Sequence, residues 1–215
     1  MNWVLRTLLV VVVVATMGSC AIYKRPLKVP TTDKAVIIVA STSMPEPISD
    51  IARHAWFAVK KAGSKRWRRI EVGGFGSKPL DGIKNVEIHG VFVGAKAARA
   101  IPCLRKHSSK ARPGRDYLPW PGPNSNTFVD ALMRKCDLHA DLPATAIGKD
   151  YRGLIGVSWT SGGTGFQFET PLFGFKIGLT EGIELHILGL AIGVDFWPPA
   201  IIVPLGGGRL GFGDR

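Results

Sequence analysis

The sequence is poor in the residues that build metal centres. Among its 215 residues there are three cysteines and five histidines, and neither a CxxC pair nor a His/Cys cluster occurs. Structural zinc sites need about four such ligands at close spacing, so the sequence predicts no metal site. Internal repeats are missing, and Gly206-Gly207-Gly208 alone is a weak match to a nucleotide-binding fingerprint. The sequence therefore predicts no cofactor.

Unbroken apolar runs are short except at the N-terminus, where Leu8–Ala15 follows Arg6. A positive residue before an apolar stretch is typical of an export signal. The next residues, Thr16-Met17-Gly18-Ser19-Cys20, place small side chains directly before a cysteine. This segment resembles the cleavage site of a bacterial lipoprotein signal peptidase, which implies lipidation of Cys20. Two alternatives remain: Trp3–Ile22 is just long enough to be an uncleaved anchor, or a conventional secretory signal is removed.

All three interpretations export the rest of the chain. We therefore expect a bacterial envelope protein, held at a membrane by its N-terminus and facing the periplasm or the exterior. Acidic residues are scarce in its first half: residues 1–115 hold 21 Lys/Arg against 6 Asp/Glu, whereas residues 116–215 hold 7 against 10. The basic runs Lys60–Arg69 and Lys96–Arg115 favour an anionic lipid or cell-wall polymer as partner, and export argues against nucleic acid. A solvated basic surface is the alternative.

Composition divides the chain into four segments. Residues 1–22 form the signal or anchor, 23–34 a polar tether, 35–145 the core, and 146–215 a Gly-rich β extension packed on the core. The 26 glycines and 15 prolines favour short elements over long helices. The predicted fold class is therefore α+β, with an antiparallel sheet and short helices.

Individual elements follow from the apolar patterns. In the core, they predict strands at 35–40 and 86–93, a β-hairpin over 51–72, and helices over 94–104 and 127–136. In the extension, the pieces LIGVSW, FGFKIGL and IELHILGLAIGV indicate antiparallel strands and tight turns. An exported pair such as Cys103 and Cys136 can form a disulfide, but their spacing does not decide whether they do.

Two segments carry side chains suited to catalysis. In Arg53-His54-Ala55-Trp56-Phe57 a histidine opens a strand, and in Pro121-Gly122-Pro123-Asn124-Ser125-Asn126-Thr127-Phe128 a serine opens a helix. The second segment resembles the Asn-Cys-x-x-Phe stretch of circularly permuted papain-like hydrolases and acyltransferases, which include relatives of lecithin–retinol acyltransferase. The order His54 then Ser125 is also the permuted one. The resemblance implies a permuted papain-like core that acts on acyl or amide bonds, although Ser125 stands where that superfamily has cysteine.

A larger part of the chain resembles a bacterial family catalogued as domain of unknown function 3750. The pieces HAWFAVK, WRRIEVGG, PWPGPNSNTF, EGIE, LGL and GVD occur here in the family's order. Serine at position 125 is the pattern of that family. The resemblance implies no established activity.

The pairing of the two hairpin strands determines which side chains lie near His54. If Lys60 and Lys65 close the turn, His54 lies opposite Glu71 and Trp56 opposite Arg69. The other face of the hairpin then holds only apolar side chains, which belong in the core: Phe57, Val59, Ile70 and Val72.

This register predicts a triad in which Ser125 is the nucleophile, His54 the base and Glu71 the group that orients the histidine. The N–H groups at a helix start suit an oxyanion. Four further residues are predicted to bind substrate: Trp56, Trp120, Asn124 and Asn126.

Each feature also has a non-catalytic interpretation. Ser or Asn before a helix is commonly an N-cap, and a strand histidine opposite a glutamate is commonly an ion pair. A serine hydroxyl is much less acidic than a cysteine thiol. The alternative function is therefore a non-catalytic envelope lipoprotein that binds cell wall or anionic lipid through its basic face. Other residues rank lower as site candidates: His89, His107, His139, His186, Trp159 and Trp197.

Overall fold

The computed structural model describes residues 29–49, 51–72, 80, 83, 85–110, 116–204 and 208–211. The predicted signal or anchor, with Cys20, and most of the predicted tether lie outside the described residues. Within the described part, the chain is α+β and mostly β, with two antiparallel sheets and two helices, which confirms the predicted class. No helix in these described ranges has both the length and the apolar character needed to cross a membrane.

The first sheet has four antiparallel strands in the order β3-β2-β1-β4. Their bounds are β1 Val36–Ser43, β2 Arg53–Lys60, β3 Trp67–Ile70 and β4 Val86–Val93. Strand β1 is central because its continuous apolar run is buried on both faces, as expected for an interior strand. The predicted strands and hairpin are all present.

Each face of this sheet packs into its own apolar cluster. Phe57 and Val59 face the cluster that both helices complete, and Ile70 and Val72 pack against the same cluster, so the predicted apolar side of the hairpin is confirmed. Trp56 and Ala58 lie in a second cluster with Val36, Ile38, Ala40 and Val86. The alternation of side chains along a strand explains this division.

Two helices cover one face of the first sheet. Helix α1 spans Ala95–Ser108 and continues through Pro102, where the sequence predicted its end. Proline removes the N–H that would bond the Ala98 carbonyl, but Pro102 and Ala98 are both exposed, so water can bond that carbonyl. Helix α2 spans Ser125–Lys135. A disulfide between Cys103 and Cys136 ties α1 to the end of α2.

The second sheet has seven antiparallel strands in chain order. They are β5 Gly156–Trp159, β6 Gly165–Glu169, β7 Phe173–Gly178, β8 Gly182–Ile187, β9 Leu190–Asp195, β10 Ala200–Ile202 and β11 Arg209–Gly211. The piece IELHILGLAIGV forms two strands rather than one, because Leu188 and Gly189 both have positive φ (52° and 74°) and make a tight turn. The predicted antiparallel strands of the extension are therefore present.

Polar side chains line the face of the second sheet that is turned towards the core. Gln167, Lys176 and Glu184 are buried there, at 0–3% exposure. The Lys176 ammonium lies 2.9 Å from Glu184, and Arg134 of α2 donates to the Gln167 side chain at 3.0 Å. Ion pairs and hydrogen bonds, more than apolar contacts, thus join this sheet to α2.

Candidate active site

A histidine at the start of β2 meets a serine at the start of α2. His54 Nδ1 lies 2.9 Å from Ser125 Oγ, although 71 residues separate them in the chain. Both are nearly buried, with exposures of 4% and 6%. The distance is within hydrogen-bond reach, which is the first geometric requirement of a nucleophile and its base.

The other ring nitrogen of His54 faces a carboxylate. His54 Nε2 lies 3.0 Å from Glu71 Oε2, and Arg69 Nη2 donates to the same oxygen at 2.5 Å. A carboxylate paired with a guanidinium is ionised and only accepts hydrogen bonds. The tautomer that satisfies both partners therefore carries its proton on Nε2, which leaves the Nδ1 lone pair to accept from the Ser125 hydroxyl.

The hairpin register differs from the predicted one by two residues. Ala58 pairs with Arg69 and Lys60 with Trp67, whereas the prediction placed Ala58 opposite Trp67. The turn is longer than predicted, and Glu71 follows the end of β3. Because side chains alternate with a period of two, a two-residue shift keeps every side chain on its predicted face. Glu71 thus still reaches His54, but diagonally.

The N-cap of α2 is Asn124 rather than Ser125. Asn124 Oδ1 accepts from the N–H groups of Asn126 at 2.9 Å and of Thr127 at 3.2 Å. Thr127 Oγ1 accepts in turn from Asn124 N at 3.1 Å, which completes a capping box. The helix therefore begins at Ser125, two residues before the predicted start. Since Asn124 provides the cap, the Ser125 hydroxyl is left to contact His54.

Asn126 fastens the helix start to the strand that carries His54. Its Oδ1 accepts from Ala55 N at 2.8 Å, and its Nδ2 donates to the carbonyls of Arg53 and Ile147, each at 2.9 Å. Arg53 and Ala55 are the chain neighbours of His54. Asn126 is 4% exposed, so the structure places this predicted substrate-binding residue between two elements of the scaffold.

The two tryptophans predicted to bind substrate lie in different surroundings. Trp56 is fully buried, and the Arg69 guanidinium lies over its ring at 4.7 Å from the centroid. This cation–π contact holds the arginine that bonds Glu71. The sequence placed Trp56 near Arg69 but did not predict the bond from Arg69 to Glu71. Trp120 is half exposed, and its indole N–H donates to the Leu188 carbonyl at 2.6 Å. Trp120 therefore joins the loop before Ser125 to the β8–β9 turn.

One N–H group is available for an oxyanion at the start of α2. Asn124 takes up the N–H groups of Asn126 and Thr127, while no hydrogen bond within the described residues takes up that of Ser125. This N–H sits at the positive end of the helix dipole. It suits a negative oxygen that develops next to Ser125 Oγ.

A second Ser–His pair lies on the neighbouring strands. Ser41 Oγ lies 2.8 Å from His89 Nε2, but it also accepts from Arg53 Nε at 2.8 Å. Burial, and then the charge of Arg53, lowers the pKa of His89 to about 3. Such a histidine is a weak base near neutral pH, which agrees with the lower rank of His89 among the site candidates.

Three ligand-type side chains meet on the inner face of the second sheet: Asp150, Glu169 and His186 lie within 4.8 Å of one another. Lys149 lies 2.6 Å from Asp150, and His186 lies 2.5 Å from Glu169. Although burial alone would lower it, the carboxylates of Asp150, Glu169 and Glu184 raise the pKa of His186 to about 9. These carboxylates are thus already balanced by ammonium and imidazolium groups.

The predicted basic runs are partly used inside the fold. Lys60 is 5% exposed and donates to the Thr32 carbonyl, and Arg69 is held by Glu71 and Trp56. In Lys96–Arg115, residues 111–115 lie outside the described residues, and Arg99 and Arg105 of α1 are exposed. The charged surface is therefore smaller than the sequence count suggests.

Comparison with known proteins identifies a family but gives no activity. Neither the curated proteins nor the solved structures contain a match to this chain. A family model does match, over residues 34–151, which is more than half of the chain and includes His54, Glu71 and Ser125. The chain therefore belongs to the family described as protein of unknown function (DUF3750).

Proposed function

We propose that this protein is a serine hydrolase or acyltransferase that acts on an acyl or amide bond in the bacterial envelope. The observation that carries the proposal is the position of His54 between Ser125 at 2.9 Å and Glu71 at 3.0 Å. Few structural roles need a nucleophile, a base and an orienting carboxylate in series. The histidine at a strand start and the nucleophile at a helix start also support a permuted papain-like core.

In the proposed first half-reaction, Ser125 Oγ attacks the substrate carbonyl carbon while His54 Nδ1 takes the hydroxyl proton. Glu71 stabilises the imidazolium that forms. The carbonyl oxygen becomes an oxyanion beside the Ser125 N–H. When the intermediate collapses, His54 returns the proton to the leaving alcohol or amine, and an acyl-serine remains.

In the second half-reaction, His54 removes a proton from water or from an acceptor alcohol or amine. The resulting nucleophile attacks the acyl-serine carbonyl, and Ser125 leaves with the proton that His54 then holds. Water yields an acid, and an acceptor yields a transferred acyl group.

The direct test is covalent labelling of the full chain with a fluorophosphonate probe. We expect Ser125 to be labelled, Ser125→Ala and His54→Ala to abolish labelling, and Glu71→Gln to reduce it less severely. Ser125→Cys should stay reactive towards activated esters, because a thiolate needs less help from the base. Ser41→Ala is the matched control, since Ser41 also lies beside a buried histidine, and it should label like the wild type.

The outcome that contradicts the proposal is equally specific. A folded protein whose Ser125 stays silent to fluorophosphonates and activated esters, as serine and as cysteine, is not an acyl-transfer enzyme. The family would then use this scaffold for binding, and Ser125→Ala would change only stability.

The location is also part of the proposal. The apolar run Leu8–Ala15 and the small residues before Cys20 support export and tethering to a membrane. An enzyme held in this way acts on substrates of the envelope rather than of the cytoplasm.

A further inference from the structure

The outer face of the second sheet carries only apolar side chains. One row crosses all seven strands, with one residue from each, and its pairings are continuous. It consists of Trp159, Phe166, Ile177, Ile183, Val194, Ile201 and Leu210. A second row holds Val157, Phe168, Phe175, Leu185 and Ile192, and a third Phe173, Ile187 and Leu190.

These rows are turned to solvent within the described part of the chain. Trp159 is 72% exposed, and Ile183 and Ile192 at the centre of the sheet are each 52% exposed. With strands about 4.8 Å apart and rows about 7 Å apart, the rows cover about 500 Å² in projection. Soluble monomers rarely expose a larger contiguous apolar patch. We therefore expect another molecular surface to cover this face.

The protein cannot bury the apolar face of this sheet in place of its polar face. Its inner face carries Lys176, Glu184 and His186, which are paired with charges from the same face and from the loop before the sheet. Exposing these groups in exchange would break several ion pairs at once. The apolar face therefore points outwards because the polar face makes its ion pairs inside the protein.

We propose that this outer face docks onto the surface of a lipid bilayer, with its side chains in the boundary between headgroups and acyl chains. A protein partner typically offers about one hydrogen bond per 100–200 Å², whereas the only polar atom on the three rows is the indole nitrogen of Trp159. Trp159, which lies on the first row and is 72% exposed, is the type of side chain that favours the membrane interface. The backbone groups inside the sheet are bonded to neighbouring strands and need no partner from lipid.

The sequence supplies a second reason for choosing a bilayer. The apolar segment Trp3–Ile22 is expected to hold the chain at a membrane, and residues 23–34 separate it from the first sheet. A tether of this length reaches at most about 40 Å, so the first sheet, to which it leads, stays within that distance of the bilayer. The proposal does not depend on Ser125 being catalytic.

Because no Lys or Arg lies on the rows, docking should need neither anionic lipid nor low salt. The test uses the full chain reconstituted in vesicles of neutral phosphatidylcholine with brominated acyl chains, which quench tryptophan on contact. We expect Trp159→Phe to remove part of the lipid-quenched fluorescence. Trp67→Phe, on the first sheet, should remove none. Quenching should be the same at about 0.1 M and about 1 M salt.

Two negative charges introduced at the centre of the apolar face should prevent it from docking onto lipid. Ile183→Glu combined with Ile192→Glu should abolish the quenching of Trp159, while the control Ala98→Glu, on the exposed side of α1, should leave it unchanged. Both variants alter exposed positions, and circular dichroism verifies that each is folded.

Two results would overturn the proposal. If Trp159 remains accessible to acrylamide in vesicles and insensitive to brominated lipid, the face stays in water. If Trp159 is shielded from both quenchers, a protein surface covers the face, whether a second copy, residues 3–22 of the same chain or another partner.

Discussion

Asn126 is the residue on which the spacing of His54 and Ser125 most directly depends. Replacing it with alanine removes hydrogen bonds to Ala55 N, at 2.8 Å, and to the Arg53 carbonyl, at 2.9 Å. The Ile147 carbonyl keeps its bond from Asn124 Nδ2, also at 2.9 Å. Two backbone groups thus lose a partner at a cost of about 1–3 kcal/mol each, so we expect Asn126→Ala to lower the free energy of unfolding by about 2–6 kcal/mol.

The same substitution should affect reactivity in protein that is still folded. Once α2 is no longer fastened to β2, the distance between His54 Nδ1 and Ser125 Oγ varies, and fluorophosphonate labelling should slow by about 10–100-fold. Unfolding is measured by chemical denaturation and labelling by its rate at low denaturant. Lys135→Ala, at the exposed end of the same helix, is the control and should change both quantities little.

Asn126→Asp separates the two functions of the amide. The aspartate keeps an acceptor for Ala55 N but presents a negative oxygen to the carbonyls of Arg53 and Ile147, which raises the pKa of the new carboxyl above its unfolded value. When a carboxyl has a higher pKa in the folded than in the unfolded protein, protonation favours the folded state. The folded protein is therefore more stable at low pH, and this contribution to the free energy of unfolding is lost as the pH rises through the folded pKa. Asn126→Asp should therefore regain stability on acidification relative to Asn126→Ala. A loss below about 0.5 kcal/mol for Asn126→Ala, with unchanged labelling, would refute this reasoning.

Three further predictions concern other parts of the chain. Replacing Cys103 and Cys136 together by serine removes a cross-link between residues 33 positions apart and should lower the free energy of unfolding by about 4 kcal/mol, measured by denaturation against the oxidised wild type. Because the pKa of His186 is raised to about 9, its contribution of about 3 kcal/mol should be complete below pH 6.5, the unfolded pKa, and be lost as the pH rises through about 9, a decline that His186→Gln should lack. Cys20→Ala should abolish incorporation of labelled fatty acid and alter processing of the leader, whereas unchanged incorporation, processing and membrane retention would leave the uncleaved anchor as the explanation.

The alternation of residues in the hairpin was sufficient to place Glu71 on the same face as His54. Apolar side chains at 57, 59, 70 and 72 can be buried on one side in any register that differs by an even number of residues, and each such register keeps His54 and Glu71 on one face. The sequence could not choose among these registers. The length of the turn between Lys60 and Trp67 made that choice, and the diagonal contact of Glu71 with His54 follows from it.

The sequence around the start of α2 does not determine which residue caps the helix. Asn124, Ser125 and Thr127 are all good capping residues, so the sequence alone assigns the cap to none of them. Asn124 also bonds the Pro119 carbonyl of the preceding loop and the Ile147 carbonyl, which lies 23 residues further along the chain, and these contacts fix it as the cap. The contact of Ser125 with His54 is a consequence of that tertiary choice.

The second sheet marks the clearest division between sequence and tertiary structure. Alternating polar and apolar residues in strands such as GIELHI determine that the strands have two different faces. Hydrophobic burial by itself predicts that the apolar face turns inwards. The structure has the opposite orientation, because Arg134 of α2 and Lys149 in the loop before the sheet meet Gln167 and Glu184 on the inner face. The alternation of residues in the sequence shows that the sheet has one polar and one apolar face. Which face points inwards is decided by the position of these charged side chains in the folded structure.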